Sequence, residues 1–185
     1  VLDNDQTAYD SNCVTRGDRY LQYQVILPAT SDNSLTLTGI SIDYTNDNTG
    51  PDTVTHLQAR PSLADTPYSD EAWINNPQPA FTWDATQDNA GGTGLAGYCL
   101  YLGTDSTADV TTTSGELDSG SSPLNTNGAC QFATTATHLS TADYAYSLPD
   151  DSSTYYLLVR PIDNEGNFSS VTSQVTFGVD TQPAQ

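Results

Sequence analysis

The feature that most restricts what this chain can fold into is its rhythm. From residue 54 onward, short apolar and aromatic runs alternate with clusters of Gly, Pro, Asn and Asp. The runs fall at 54–59, 80–85, 97–103, 129–134, 144–148, 154–162 and 170–179. β-Branched and aromatic side chains suit a pleated, half-buried surface, whereas Gly, Pro, Asn and Asp favour turns. No segment repeats its apolar residues at the helical period. The pattern therefore predicts about seven short strands over roughly 125 residues, the spacing of a β-sandwich. Composition agrees: there is no Lys or Met and only three Glu, against 27 Thr and 11 Tyr. With 36% apolar residues the chain can bury a core, so disorder is not expected. The expected fold class is all-β.

The first part of the chain is less complete. Residues 19–27 alternate as a strand that Pro28 ends, and residues 29–34 read as a turn. Residues 35–44 form a second strand, with Leu35, Leu37, Ile40, Ile42 and Tyr44 on one face if Gly39 is a bulge. Two strands do not make a stable domain. Residues 1–45 thus read as a partial β segment, either the end of an upstream domain or half of an intersubunit sheet. Residues 46–53 read as a linker, and 54–182 as the sandwich. The chain starts at Val1 rather than Met and carries no signal-peptide pattern, so a processed start is expected, with any targeting segment upstream.

Charge narrows the partners. Four Arg against 23 acidic residues give a net charge of −19. Nucleic acid is bound by many Lys and Arg contacts, and anionic membrane surfaces attract the same residues; neither is an expected partner. No apolar run approaches the ~20 residues that span a bilayer. Three cysteines, Cys13, Cys99 and Cys130, suggest one disulfide and one thiol over. A Cys99–Cys130 bridge would close a loop of roughly thirty residues and stabilise by about 3 kcal/mol. It also implies an oxidising compartment. Cys13 is then left for a partner upstream or in another chain.

The segments Phe81-Thr-Trp83 and Asp88-Asn-Ala-Gly-Gly-Thr-Gly-Leu-Ala-Gly-Tyr98-Cys-Leu-Tyr101-Leu-Gly103 resemble strands B and C of bacterial fibronectin type III and immunoglobulin-like modules. Thr154-Tyr-Tyr-Leu-Leu-Val-Arg-Pro-Ile-Asp163-Asn-Glu-Gly166-Asn167 is similar to their strand F and the turn into strand G. Val175-Thr-Phe-Gly-Val-Asp-Thr181 resembles the run into a following module. The likeness covers about residues 54–182. It implies a fibronectin type III or Ig-like β-sandwich in a large extracellular surface protein. Residues 103–129 depart from it, being longer than a usual inter-strand loop, and the Cys99–Cys130 pairing is not a general feature of the family. Residues 19–44 are similar to the last two strands of jelly-roll modules. With Trp83 filling the centre of the sandwich, either Tyr98 and Leu100 or Cys99 and Tyr101 would face it.

Several constellations of residues bear on chemistry. The two His, His56 and His138, lie in different contexts without a nucleophile elbow. The three Glu (Glu71, Glu116 and Glu165) occupy polar stretches rather than an apolar pocket suited to a glycosidase acid. Zinc-type Cys and His spacings are missing from the sequence. Calcium is the best ligand candidate. It takes six to eight oxygens, and Asp163, Asn164, Glu165 and Asn167 surround a Gly turn, with Asp88 in another loop expected at one end of the sandwich. Asp3 with Asp5, or Asp43 with Asp47 and Asn48, are alternatives. The same residues are also the ones that cap Asx turns. Arg16-Gly17-Asp18 spells an integrin-type tripeptide, and Asn167-Phe-Ser169 a glycosylation sequon. Residues 118–128 read as a mobile loop stapled at its base if the bridge forms.

Two functions are expected. The first is a non-enzymatic structural or adhesive module of an extracellular bacterial surface protein or fibre subunit, acting as spacer, display or assembly domain. Its partners would be neighbouring modules, copies of itself, glycans or a host surface. The second is a carbohydrate-binding accessory domain of a secreted glycan-degrading enzyme. It requires a coplanar exposed aromatic row, drawn from Trp73 and Tyr68 together with Tyr9, Tyr20, Tyr144 and Tyr146.

Overall fold

A computed structural model describes Gly39 and residues 47–182, apart from 125, 127 and 150–152. By its contacts the chain divides into two compact units, Val1–Asn46 and Asp47–Gln185. The strands expected at 19–27 and 35–44, Cys13, Arg16-Gly17-Asp18, Tyr9 and Tyr20 lie outside the described residues.

The described part of the second unit is a two-sheet β structure. Its strands are β1 (Gln58–Arg60), β2 (Trp73–Ile74), β3 (Ala80–Thr82), β4 (Leu95–Gly103), β5 (Phe132–Thr134), β6 (His138–Leu139), β7 (Thr154–Asp163) and β8 (Ser173–Val179). One sheet has the order β1-β3-β6 and the other β2-β8-β7-β4-β5. Neighbours pair antiparallel except β2, which runs parallel to β8 with Trp73 opposite Gly178.

Alternation along the long strands builds the core. Tyr98, Leu100 and Leu102 of β4, Tyr155, Leu157 and Val159 of β7, and Val175, Phe177 and Val179 of β8 face Ala59, Phe81, Trp83 and Leu139. Phe81 and Phe177 lie with ring centroids 5.5 Å apart, and Trp83 meets Tyr98 edge-on at 5.5 Å. Each fully buried large apolar side chain contributes about 1.5–3 kcal/mol, and a well-placed aromatic pair about 0.5–1.5 kcal/mol more. The core therefore takes the Tyr98/Leu100 face of β4.

The other face of the five-stranded sheet is covered over β4 and part of β7. Cys99, Tyr101, Leu158 and Ile162 point outward and are buried, with Val110, Ala108, Ala129 and Cys130 of the long β4–β5 excursion packed on them. Cys99 and Cys130 form a disulfide, their Cα atoms 5.5 Å apart. Main-chain bonds hold the excursion down: the Glu116 N–H donates to the Leu102 carbonyl at 2.7 Å, and that of Gln131 to Val110 at 3.3 Å. Two Asp-x-Thr turns begin it. Asp105 accepts from the Thr107 N–H and hydroxyl, and Asp109 likewise from Thr111. Val110 is thereby pressed onto the sheet at 2% exposure, as a core residue would be.

Two local features differ from what the sequence predicts. Residues 144–148 are not a strand. Tyr146 and Leu148 do reach the core, but Tyr146 donates its hydroxyl to the Pro79 carbonyl and Leu148 its N–H to Pro77, which draws the backbone away from the ladder. The edge strand is His138–Leu139 instead. β2 was not anticipated, because two residues show no period. The turn-rich stretch 46–53 is tied to the second unit from Asp47 on: the Asp52 N–H donates to the Gln87 carbonyl.

Candidate functional site

Two places gather side chains with chemistry. The first lies where β7 ends. Its last residue, Asp163, is fully buried. Gly166 adopts a φ of 91°, the left-handed turn that glycine takes without strain, and this folds Asn167 back onto the carboxylate. The Asn167 backbone N–H and side-chain amide both donate to Asp163 at 2.7 Å, and the amide also donates to the Asp47 carbonyl at 3.0 Å. Asp88 accepts from the Gly94 N–H at 2.7 Å. Asp47 accepts from the Thr93 N–H at 2.8 Å and its hydroxyl at 3.0 Å. The Thr93 N–H is the main reason that the Asp47 carboxyl sits below its ordinary pKa. One oxygen from each of Asp47, Asp88 and Asp163 lies within 4.8 Å of the others.

Of the sequence-predicted calcium set, the structure brings together Asp88 and Asp163. Asp47 joins them, although the sequence had grouped it with Asp43. Glu165 and Asn164 are exposed. Asn164 turns its amide nitrogen inward, to the carbonyls of Thr93 at 2.8 Å and Gly94 at 3.0 Å. Asn167 is engaged as a donor. Three carboxylates using one oxygen each supply three of the six to eight that Ca²⁺ takes. What the arrangement performs with its own atoms is to tie three loops together: the chain around 47, the 88–94 loop and the 163–167 turn.

The second place is on the outer face of the five-stranded sheet at the opposite end of β7, about 30 Å along the strand. Trp73 is 58% exposed. Its ring lies on Gly178, where a Cβ would collide with the indole, so only glycine admits this approach. Beside it is an open recess of about 290 Å³, lined also by Glu71, Thr154, Tyr156 and Thr176. Glu71 has a φ of 58°, uncommon for a non-glycine residue, and its N–H donates to the Thr176 carbonyl at 3.0 Å. Tyr156 packs its other side on the outer cluster. Trp73 was predicted as a sugar-stacking residue; its neighbours were not. The sequence signal for them was Gly178, an isolated glycine within a strand.

Among the described residues, the expected aromatic row is not assembled. Tyr68 is half-buried against the core and lines a separate depression with Leu57 and Gln174. Tyr144 packs edge-on to Phe132, and Tyr146 is buried. Burial raises the Tyr146 phenol pKa far above its ordinary value.

The histidines pair with carboxylates rather than nucleophiles. His56 lies 2.7 Å from Asp84, both well exposed, and His138 lies 3.2 Å from Asp143. The Ser140 hydroxyl donates to that same Asp143 carboxylate at 2.6 Å, so the aspartate stands between the serine and the imidazole. The sequon nitrogen of Asn167 is occupied by the two bonds above, and Ser169 is fully buried.

No family model matches the chain, and no curated protein does. Among solved structures it is similar to α-L-rhamnosidase from Dictyoglumus thermophilum, at 13% identity with a TM-score of 0.44, over 73% of this chain and 13% of that one. It is also similar to the Clostridium perfringens spore cortex lytic enzyme SleM, at 16% identity with a TM-score of 0.37, over 70% of this chain and 28% of that one. The chain thus spans less than a third of either protein's length.

Proposed function

We propose that this chain is a non-enzymatic structural or adhesive module of an extracellular protein, a fibronectin type III or Ig-like sandwich serving as spacer or display domain. One observation carries the reading. Over β4 and the adjoining part of β7 both faces of the five-stranded sheet are covered, and the outer cover is stapled to β4 through Cys99–Cys130. Such a device stiffens a scaffold, and its disulfide fits an oxidising compartment. The family likeness is supported by Tyr155, at the start of β7, whose hydroxyl donates to the Pro149 carbonyl at 2.8 Å. A tyrosine placed this way marks the corner of Greek-key sandwiches. Among the described residues, no helix is long and apolar enough to cross a membrane.

The test is limited proteolysis of the oxidised chain. A free-standing module leaves a protected fragment close to residues 47–182 long after an unfolded control is gone. Digestion of that fragment at the control's rate would overturn the reading. A second reading, a glycan-binding accessory domain, is favoured by one observation, the exposed Trp73 over its polar recess.

A further inference from the structure

We infer that the recess beside Trp73 is a binding site for one uncharged pyranose ring within a glycan chain. The inference rests on the second reading above and gives it a place and a ligand class. A pyranose has an apolar C–H face and a rim of hydroxyls. Trp73 presents one indole face to the sheet at Gly178 and is 58% exposed. Aromatic rings in this state offer a large, rigid apolar surface beside water.

The floor is made of small residues. Thr154 pairs with Gly178, and Tyr156 with Thr176, in adjacent rows of β7 and β8. Trp73 stands on the Gly178 side and Tyr156 on the other, so two aromatics bound a shallow trough floored by Thr and Gly. The threonine hydroxyls and the Glu71 carboxylate supply hydrogen-bond partners for sugar hydroxyls. A carboxylate is the stronger acceptor of these, because bonds to charged groups are the strong ones.

Glu71 is held against β8 with a left-handed backbone. Strain of this kind collects at ligand clamps. The recess, about 290 Å³, lies at the small end of ligand sites and is open along the sheet, which suits one ring of a chain that continues past it. The net charge of −19, with Glu71 in the recess, selects against uronate-rich or sulfated glycans.

The two tryptophans make the test direct, since Trp83 is 4% exposed and Trp73 carries almost all the quenchable fluorescence. Acrylamide quenching of the whole oxidised chain is followed with neutral hexaoses of the cello, xylo, manno and chito series, and with tetramethylammonium. The expected result is that at least one hexaose shields Trp73. Trp73→Ala should weaken its binding, read by calorimetry, about tenfold or more, and Glu71→Gln about tenfold. Trp73→Phe should retain part of it. The fluorescence of Trp83 and the melting temperature verify that each variant is folded.

Three outcomes overturn the inference. Hexaose binding that survives Trp73→Ala places the site elsewhere while leaving the glycan-binding reading intact. Shielding by no hexaose removes both. Shielding by tetramethylammonium alone makes the recess a cation cage, which aromatic faces beside a carboxylate also suit.

Discussion

Cutting the Cys99–Cys130 bridge should release the outer cover of the sheet before it disturbs the core. The bridge spans 31 residues. In the chain-entropy treatment, a loop of that length stabilises by about 3.7 kcal/mol at 25 °C. Unfolding entropy near 2.1 cal/mol/K per residue converts this into a melting shift of roughly 13 °C for a unit of this size. The informative variant is Cys130→Ser. Cys130 is half-buried, so the change leaves little void, and the Cys99 sulfur stays in the outer cluster. The assay is calorimetry together with hydrogen exchange. The Glu116 and Gln131 amides, bonded to Leu102 and Val110, should lose protection first. Amides of the β7–β8 ladder should exchange only on global unfolding. A melting shift under about 3 °C, or equal loss of protection in both groups, would show that the staple does not hold the cover.

Three further outcomes follow from the same geometry. Asp163→Ala removes the acceptor of two 2.7 Å bonds from Asn167 and should cost about 3 kcal/mol in urea unfolding. A loss below about 1 kcal/mol would mean that the turn is held otherwise. Among the described residues, Trp83 Nε1 is buried without a hydrogen-bond partner. Trp83→Phe should therefore cost under about 1.5 kcal/mol, because losing an unsatisfied donor offsets lost area, whereas Trp83→Ala should cost about 3–5 kcal/mol. The Asp109 carboxyl is held below the usual 3.8, chiefly by the Thr111 N–H. A depressed carboxyl stabilises above its unfolded pKa and loses that effect as pH falls through the folded value. The stability difference between the native chain and Asp109→Asn should thus be constant near neutrality, shrink as pH falls below the ordinary 3.8, and be gone at a pH below the lowered folded value. A difference that persists there would contradict this role for the carboxylate.

Much of the fold could be read in the sequence because period-two alternation survives in the long strands. Residues 154–162 and 97–103 were placed nearly as they stand. The sequence left open which face of β4 met the core, and the reason is physical: residues 98–102 are buried on both sides, so alternation there carries no polar marker. Two-sided burial in turn required the excursion after β4, whose only local signals were the Asp-x-Thr turns at Asp105 and Asp109. β2 and β6, at two residues each, are set by tertiary pairing rather than by any pattern of their own. At the acidic end, Asp88 and Asp163 could be anticipated from their turns. Asp47 could not, because it reaches them from about 40 and 115 residues away in the chain. Trp73 was visible as an aromatic in a polar stretch, but its recess depends on a register that puts Gly178 opposite it.

The proposed role as a structural module stiffened by its disulfide is tested most directly by pulling on single molecules. Held between reference domains, the oxidised 47–185 unit should resist and then open in one cooperative step, with the 31-residue loop still closed. Reduction should lengthen that step by roughly 100 Å, at 3.3–3.6 Å per residue, and lower the opening force. Opening at negligible force, or a step of equal length in both redox states, would contradict it.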